Sequence, residues 1–394
     1  MTQTNNIPQG YKDSPLGIIP KEWEVKKIKE IAKLSSGGTP LREKKENWNG
    51  DIPWITTSLL NYPTIFDAEE YITEQGLQSS AAKLLPSGTL LMAMYGQGQT
   101  RGKVSKLMIE ATTNQACAAL TINKDQIDFI FYQLDYNYHN IRSYSNDGNQ
   151  KNLSLDLIGQ FLLILPPLPE QQKIAEILFI WDEAITKQTQ LITQLETRKR
   201  GLMQQLLTGK KRVKGFSGKW GTVKLGDISI IKTGNKNNED KVENGQFPFF
   251  VRSKIVEKIN TYSYDGEAIL IPGEGKIGET IHYINGKFDF HQRVYKISDF
   301  VDCFAKYIYY YLKIDFEKQA VNNSVKACVD SLRLPTFLNM KIHIPSIEEQ
   351  TAIANILSAA DTEIDLAKKK LASLKEQKKG LMQVLLTGKK RVKI

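Results

Sequence analysis

The sequence predicts an α+β protein of two globular, β-rich domains in pseudo-twofold repeat, separated by two long helices forming an antiparallel coiled coil. Three observations predict it. The segment Gly201 to Lys214 returns with one change (Gln205 becomes Val384) as Gly380 to Lys393, displaced by 179 residues. Apolar residues ahead of each copy recur at alternating steps of four and three, the spacing of a heptad seam. The remaining sequence holds short apolar runs, such as those ending at Met94, Leu165 and Ile271, punctuated by glycine and proline as strands are.

In chain order, residues 1–165 read as the first globular unit. Its opening positions Trp23, Lys27, Ile28, Glu30 and Gly37 are echoed by Trp220, Lys224, Leu225, Asp227 and Gly234. Residues 166–210 read as the first helix, with the seam Ile174, Leu178, Trp181, Ile185, Gln188, Ile192, Leu195, Lys199, Leu202 and Leu206. Pro169 suits a first helical turn and Gly209 a C-terminal cap. Residues 211–344 form the second unit, and residues 345–394 the second helix, whose seam from Ile353 to Leu385 keeps the register. Each helix is expected to span about 40 residues, roughly 60 Å at 1.5 Å per residue. A pair of that length would hold the units apart as a dumbbell; the alternative is two helices buried separately in their own domains. Short helices are expected at Ile127 to Tyr136 and Phe304 to Leu312.

The composition is that of an ordinary soluble protein: 394 residues, 41% hydrophobic and 24% charged, enough for two or three domains at ~150 residues each. No apolar run approaches the ~18 residues of a membrane span, and the polar first residues carry no signal-peptide core, so a cytoplasmic location is expected. Cys117, Cys303 and Cys328 lack the spacing of a disulfide framework or zinc site. The excess of 53 basic over 43 acidic residues suits a polyanionic partner.

No complete catalytic constellation is present. The glycines at 273, 275 and 278 match a dinucleotide fingerprint but precede a strand, so a turn is expected. The run Gly96 to Lys103 is one residue too long for a phosphate loop, and Val104 stands where a magnesium-binding hydroxyl belongs. Asp265, Glu274 and Lys276 imitate a metal-dependent nuclease set, which keeps nuclease activity as an alternative reading. The four histidines lack metal-ligand spacing, so neither a metal nor a catalytic residue is assigned.

Polar loop clusters recurring in both units read instead as DNA-binding. These are Thr56, Thr57 and Ser58 against Arg252, Ser253 and Lys254; Gln97, Gln99, Arg101 and Lys103 against Lys276; and Asn149, Gln150 and Lys151 against Asn322, Asn323, Ser324 and Lys326. Glutamine and arginine can pair bidentately with adenine and guanine edges, while lysine meets phosphates.

Several segments then carry a resemblance: Tyr11 to Trp23, Gly50 to Trp54, Pro167 to Gln172, Phe249 to Ser253, and the twice-used Gly-Leu-Met-Gln-x-Leu-Leu-Thr-Gly. Over essentially the whole chain the sequence resembles the specificity subunit of type I restriction-modification enzymes. The resemblance implies a non-catalytic subunit whose two target-recognition domains each read half of a bipartite sequence in double-stranded DNA. It implies helices that set the spacing and dock two methyltransferase subunits, with restriction-translocase subunits joining in the full complex. S-adenosylmethionine, ATP and Mg would belong to those partners, leaving this chain without a cofactor. The docking role carries over to Glu170, Gln171, Leu202, Met203, Leu206, Glu349, Gln350, Leu381, Met382 and Leu385. The second copy departs where Ser346-Ile347-Glu348 replaces Pro167-Leu168-Pro169, a change expected to loosen that helix's start. A coiled-coil adaptor that binds only proteins is the other alternative.

Overall fold

The computed structural model describes residues 7–96, 99–144, 152–275, 278–322 and 332–394. The longer helices are α1 (Ile127–Tyr136), α2 (Leu168–Leu206), α3 (Ala305–Asn322) and α4 (Ile347–Leu385), with helices of four to six residues and turns between the strands. α2 and α4 each have 39 residues. The start of α4 is not loosened: Ser346 Oγ accepts from the Glu349 amide and Ser346 O from Gln350 N, which caps donors that have no partner inside the helix. α3 outruns the expected end at Leu312 because Leu312, Phe316 and Ala320 continue a buried stripe at steps of four.

Tertiary contacts divide the chain into one unit of residues 1–187 with 371–394, and a second of residues 188–370. Each unit therefore combines a globular part with the first half of one long helix and the second half of the other. In the first unit, Ile174 and Leu178 of α2 share a core with Met382 and Leu385 of α4, together with Trp23, Leu120, Phe129 and Tyr132. In the second, Met203 and Leu206 share a core with Ile353, Leu357, Ile269 and Tyr307. Each such side chain contributes about 1.5–3 kcal/mol on burial. Within the second unit the helix halves run antiparallel: Gln188 Nε2 donates to Ala367 O at 3.0 Å, and further along α2 Lys199 pairs with Asp361, earlier in α4.

The first unit's main sheet uses β1 (Ala32–Ser36), β3 (Thr64–Ile65), β4 (Leu90–Ala93), β5 (Val104–Leu107) and β6 (Cys117–Ile122) in the order β1-β6-β4-β5-β3, while β2 (Trp48–Ile55) lies in a separate three-stranded sheet. The second unit's sheet uses β7 (Ile230–Thr233), β8 (Phe247–Phe250), β9 (Val256–Ile259), β10 (Tyr264–Pro272), β11 (His282–Phe290) and β12 (Val294–Ser298), in the order β7-β12-β10-β11-β8-β9. The shared order β1-β6-β4-β5 and β7-β12-β10-β11 gives the repeat its structural form. In both, a strand also joins the globular part to the start of a long helix: Leu162–Leu165 pairs with Glu24–Lys27, and Lys341–Ile344 with Gly221–Lys224.

Candidate nucleic-acid interface and its anchors

One edge of each unit is knitted by the same backbone hydrogen bonds. In the first unit the Asn114 amide donates to Ile55 O at the end of β2, Met94 N donates to Ala116 O, and Leu153 N to Met94 O. In the second, His291 N donates to Phe250 O at the end of β8, Gly273 N to Arg293 O, and Leu332 N to Gly273 O. The turn itself is matched: Asn114 Oδ1 accepts from Ala116 N at 3.0 Å, and His291 Nδ1 from Arg293 N at 2.9 Å. A glycine loop, the turn after an early strand, and the segment returning from the late loop therefore meet at one place in each unit. Close approach demands glycine beside it. A Cβ on Gly37 would lie 1.8 Å from Thr113 O, and one on Gly234 2.0 Å from Phe290 O.

The sequence-predicted DNA contacts distribute unevenly over these edges. Thr56 and Ser58 share a hydrogen bond, and Ser58 Oγ donates to Glu69 at 3.0 Å, with Thr57 beside them on the turn. Lys103 Nζ donates to Asn61 Oδ1 at 2.8 Å. Arg101 turns towards Arg142, each guanidinium donating to the other's carbonyl at 3.5 Å, and Tyr138 donates to Gln99 O. Arg252 pairs with Glu274 at 3.0 Å and Lys254 with Glu279 at 3.1 Å, while Ser253 Oγ donates to Ile255 O. Gln97, Asn149, Gln150, Lys151, Lys276, Asn323, Ser324 and Lys326 lie outside the described residues, and Asn322 ends α3.

Sequence reasoning missed Gln115, Gln292 and Arg293, all exposed on the matched turns. Thr39 Oγ1 donates to Gln115, Gln292 Nε2 donates to Asn237, and Arg293 reaches Glu274 at 3.3 Å. The available signal was the recurrence of Asn-Gln as His-Gln in the repeat. Burial holds the pKa of His291 below its usual 6.5, reinforced by Arg252 and Arg293 against the opposing pull of Glu274. Burial likewise lowers that of His282, whose Nε2 lies 3.2 Å from Ser253 O.

The nuclease set does not assemble. Asp265 stands near the start of β10 and Glu274 just past its end, so a rise of about 3.3 Å per residue separates them by roughly 25–30 Å. The glycines at 273–278 fall in the β10–β11 connection, between antiparallel strands. Among the described residues no group of three or more His, Cys, Asp or Glu side chains is placed to hold a metal ion, and no helix is long and apolar enough to cross a membrane.

The residues to which a docking role was carried over sit at the helix roots. Glu170 is fully buried and accepts from Trp23 Nε1 at 2.9 Å and Arg391 Nε at 2.7 Å. Its repeat mate Glu349 accepts from Trp220 Nε1 at 3.3 Å and Arg212 Nε at 2.7 Å. Gln171 Nε2 donates to Pro166 O and Gln350 Nε2 to Pro345 O, so both amides brace the start of their own helix. Met203, Leu206, Met382 and Leu385 are buried in the cores, with Leu202 and Leu381 packed against them. Farther along, Asp182 accepts from Tyr132 at 2.7 Å and Lys378 at 2.6 Å, while Asp361 accepts from Tyr310 at 2.6 Å and from Lys199. These residues hold each globular part to both helices. The tyrosine and lysine partners were not identified from sequence, although Lys199 and Lys378 hold one register in the seam.

The sequence profile described as Type I restriction modification DNA specificity domain matches residues 20–197 and again 217–376. The MjaIX specificity subunit of a type I restriction enzyme from Methanocaldococcus jannaschii is 29% identical over 65% of this chain and 63% of its own length. The MjaVIII specificity subunit from the same organism is 25% identical over 95% of this chain and 94% of its own. The solved S subunit of a type I restriction-modification system from M. genitalium superposes with a TM-score of 0.63 at 16% identity, covering 98% of both chains. A structure described under complex assembly and conformational transition of the type I system gives 0.61 at 15% identity, over 94% of this chain and 99% of that one. With one profile matched twice along a chain whose two edges are built alike, this protein belongs to the type I restriction-modification DNA specificity family.

Proposed function

We propose that this chain is the non-catalytic specificity subunit of a type I restriction-modification complex, each unit reading one half of a bipartite DNA target through its knitted loop edge. The observation that carries the reading is the edge built twice from one set of backbone bonds but furnished with different side chains. The same frame would thus serve two different half-sites. Phosphate contacts fix register while base-edge contacts select sequence, and the edges offer both kinds of side chain.

Methylation and cleavage then belong to partners, with S-adenosylmethionine, ATP and Mg held there. Two methyltransferase subunits would dock along the helices. Glu170, Gln171, Glu349 and Gln350 would shape those surfaces from beneath, since they are buried, while Phe179 and Ile180 on α2 and Leu366 on α4 are more than half exposed. The helices would also set the gap between half-sites. Four extra residues near Gln188 and near Ala367 lengthen each helix by ~6 Å and should widen the gap by one or two base pairs. The test is methylome sequencing of cells with and without the chain. A bipartite methylated sequence should appear only with it, and exchange of residues 1–165 for those of a relative should change one half alone. Methylation indifferent to the chain would refute the reading.

A further inference from the structure

The second unit's edge carries a charged triad with no counterpart at the matched, described positions of the first. Arg252 Nη1 lies 3.0 Å from Glu274 Oε2, and Arg293 Nη1 lies 3.3 Å from Glu274 Oε1. One carboxylate therefore grips two guanidiniums, one by each oxygen. Glu274 also forms the wall between two adjoining open clefts of about 420 and 450 Å³, with Arg252 in one and Arg293 in the other. The arginine side chains remain 46% and 60% exposed against 28% for Glu274, so the cations face outward over the acid that holds them. Through the matched backbone bonds, the first unit places Thr57, Tyr95 and Ala116 where the second has Arg252, Glu274 and Arg293.

With the two arginines 46% and 60% exposed, the solvent-screened ion pairs add only modestly to stability. The triad's chemistry is that of a reader. Each guanidinium has five N–H donors in a rigid fork, and the contact to Glu274 engages one nitrogen of each. The free donors match the paired O6 and N7 acceptors of guanine in the major groove. Resting on the functional reading above, we infer that Arg252 and Arg293 are base-reading residues positioned by Glu274, and that the half-site read by the second unit contains at least one G·C pair. Glu274 does not bind the base. It orients the forks and offsets their charge, so that duplex without the right edge pattern gains less from them.

The test uses the full chain with its methyltransferase subunits, and pairs methylome sequencing with binding to cognate and random duplex. In the wild type, the half-site that changes when the second unit is exchanged should contain a constrained G·C pair. R252K and R293K keep the charge but lose the fork, so each should cut discrimination at one position by about 5- to 150-fold while leaving the salt dependence of binding unchanged. E274Q should raise affinity for random duplex and relax the same positions; structural damage would lower both affinities. The half-site of the first unit reports assembly in the same molecules. A second half-site without a G·C pair, or full stringency in both lysine variants, would overturn the arginine pair alone. Methylation that ignores the whole chain would instead remove the functional reading beneath it.

Discussion

At the knitted edge of the first unit the turn reads Asn114, Gln115 and Ala116; at the second it reads His291, Gln292 and Arg293, on the same hydrogen bonds. The capping side chain changes from an amide to an imidazole, the flanking residue from a methyl to a guanidinium, and the backbone is indifferent to both. Each cap needs only one acceptor atom aimed at the amide two residues ahead, which Asn Oδ1 and neutral His Nδ1 both supply. The anchors behave oppositely. Glu170 and Glu349, Asp182 and Asp361, and their tryptophan, arginine, tyrosine and lysine partners are identical in type between the units. The lesson is a division of labour: buried anchors fix where each edge sits, leaving its side chains free to differ.

The largest effects should come from breaking the identical half of that comparison. Glu170→Ala leaves the buried Trp23 Nε1 without its acceptor and Arg391 with Glu22 alone, and should destabilise the first unit by about 1–3 kcal/mol, the cost of a buried donor left unsatisfied. Glu349→Ala should do the same to the second. Hydrogen exchange resolves the units, and each substitution should accelerate exchange mainly in its own; uniform loss across both would contradict separate anchoring. Gly37→Ala and Gly234→Ala drive a methyl into a carbonyl and should cost about 1–3 kcal/mol, read as a lower denaturation midpoint.

Acid should separate the edges. Because folding holds His291 below its usual 6.5, the unfolded chain binds a proton below that pH which the folded unit refuses. The second unit should therefore keep its full stability above about pH 6.5 and lose part of it as pH falls through and below that value, whereas Asn114 gives the first edge no such term. His291→Asn should remove part of the difference, the rest belonging to His282. Exchange measured at pH 7.5 and pH 5.5 checks this, and a variant with undiminished acid sensitivity would assign the effect elsewhere.

The smallest effects concern single cations. Lys103→Ala and Lys254→Ala should each lower the salt slope of DNA binding by about 0.9 if they meet phosphates, with stability almost unchanged. Arg101→Ala should change the slope less, because that side chain is turned into contact with Arg142. Fluorescence titrations at several salt concentrations distinguish these outcomes.

Much of the architecture was legible because it rests on periodicity. The seam from Ile174 to Leu206 follows from residues spaced at three and four, the helix Ile127–Tyr136 from an aromatic-rich run at corresponding places in the two units, and the repeat from direct identity. What escaped was long-range pairing. Nothing local in Arg391 marks it as the partner of Glu170, and Tyr132 resembles any core aromatic until Asp182 is placed beside it. The loop clusters were found as compositions, but which cations are tied down depends on neighbours such as Arg142 and Glu274. The triad was overlooked because Glu274 was weighed only as one carboxylate of the alternative nuclease set and not as an arginine clamp.

The clasp between Arg391 and Glu170 also orders the birth of the protein. The two residues are 221 positions apart, against 137 for Arg212 and Glu349, less than one doubling, so the loop-closure costs differ by under about 0.6 kcal/mol. Timing on the ribosome differs far more. Residues 188–370 are contiguous and can close while later sequence is still being made, whereas the first unit must wait, with the surface meant for Met382 and Leu385 uncovered, until residues 371–394 emerge. At 5–20 residues per second, the roughly 200 residues after Lys187 take about 10–40 seconds to synthesise. The half made first is finished last, and during that interval its bare flank is the nascent chain's point of exposure to chaperones and to mispairing with a neighbouring copy.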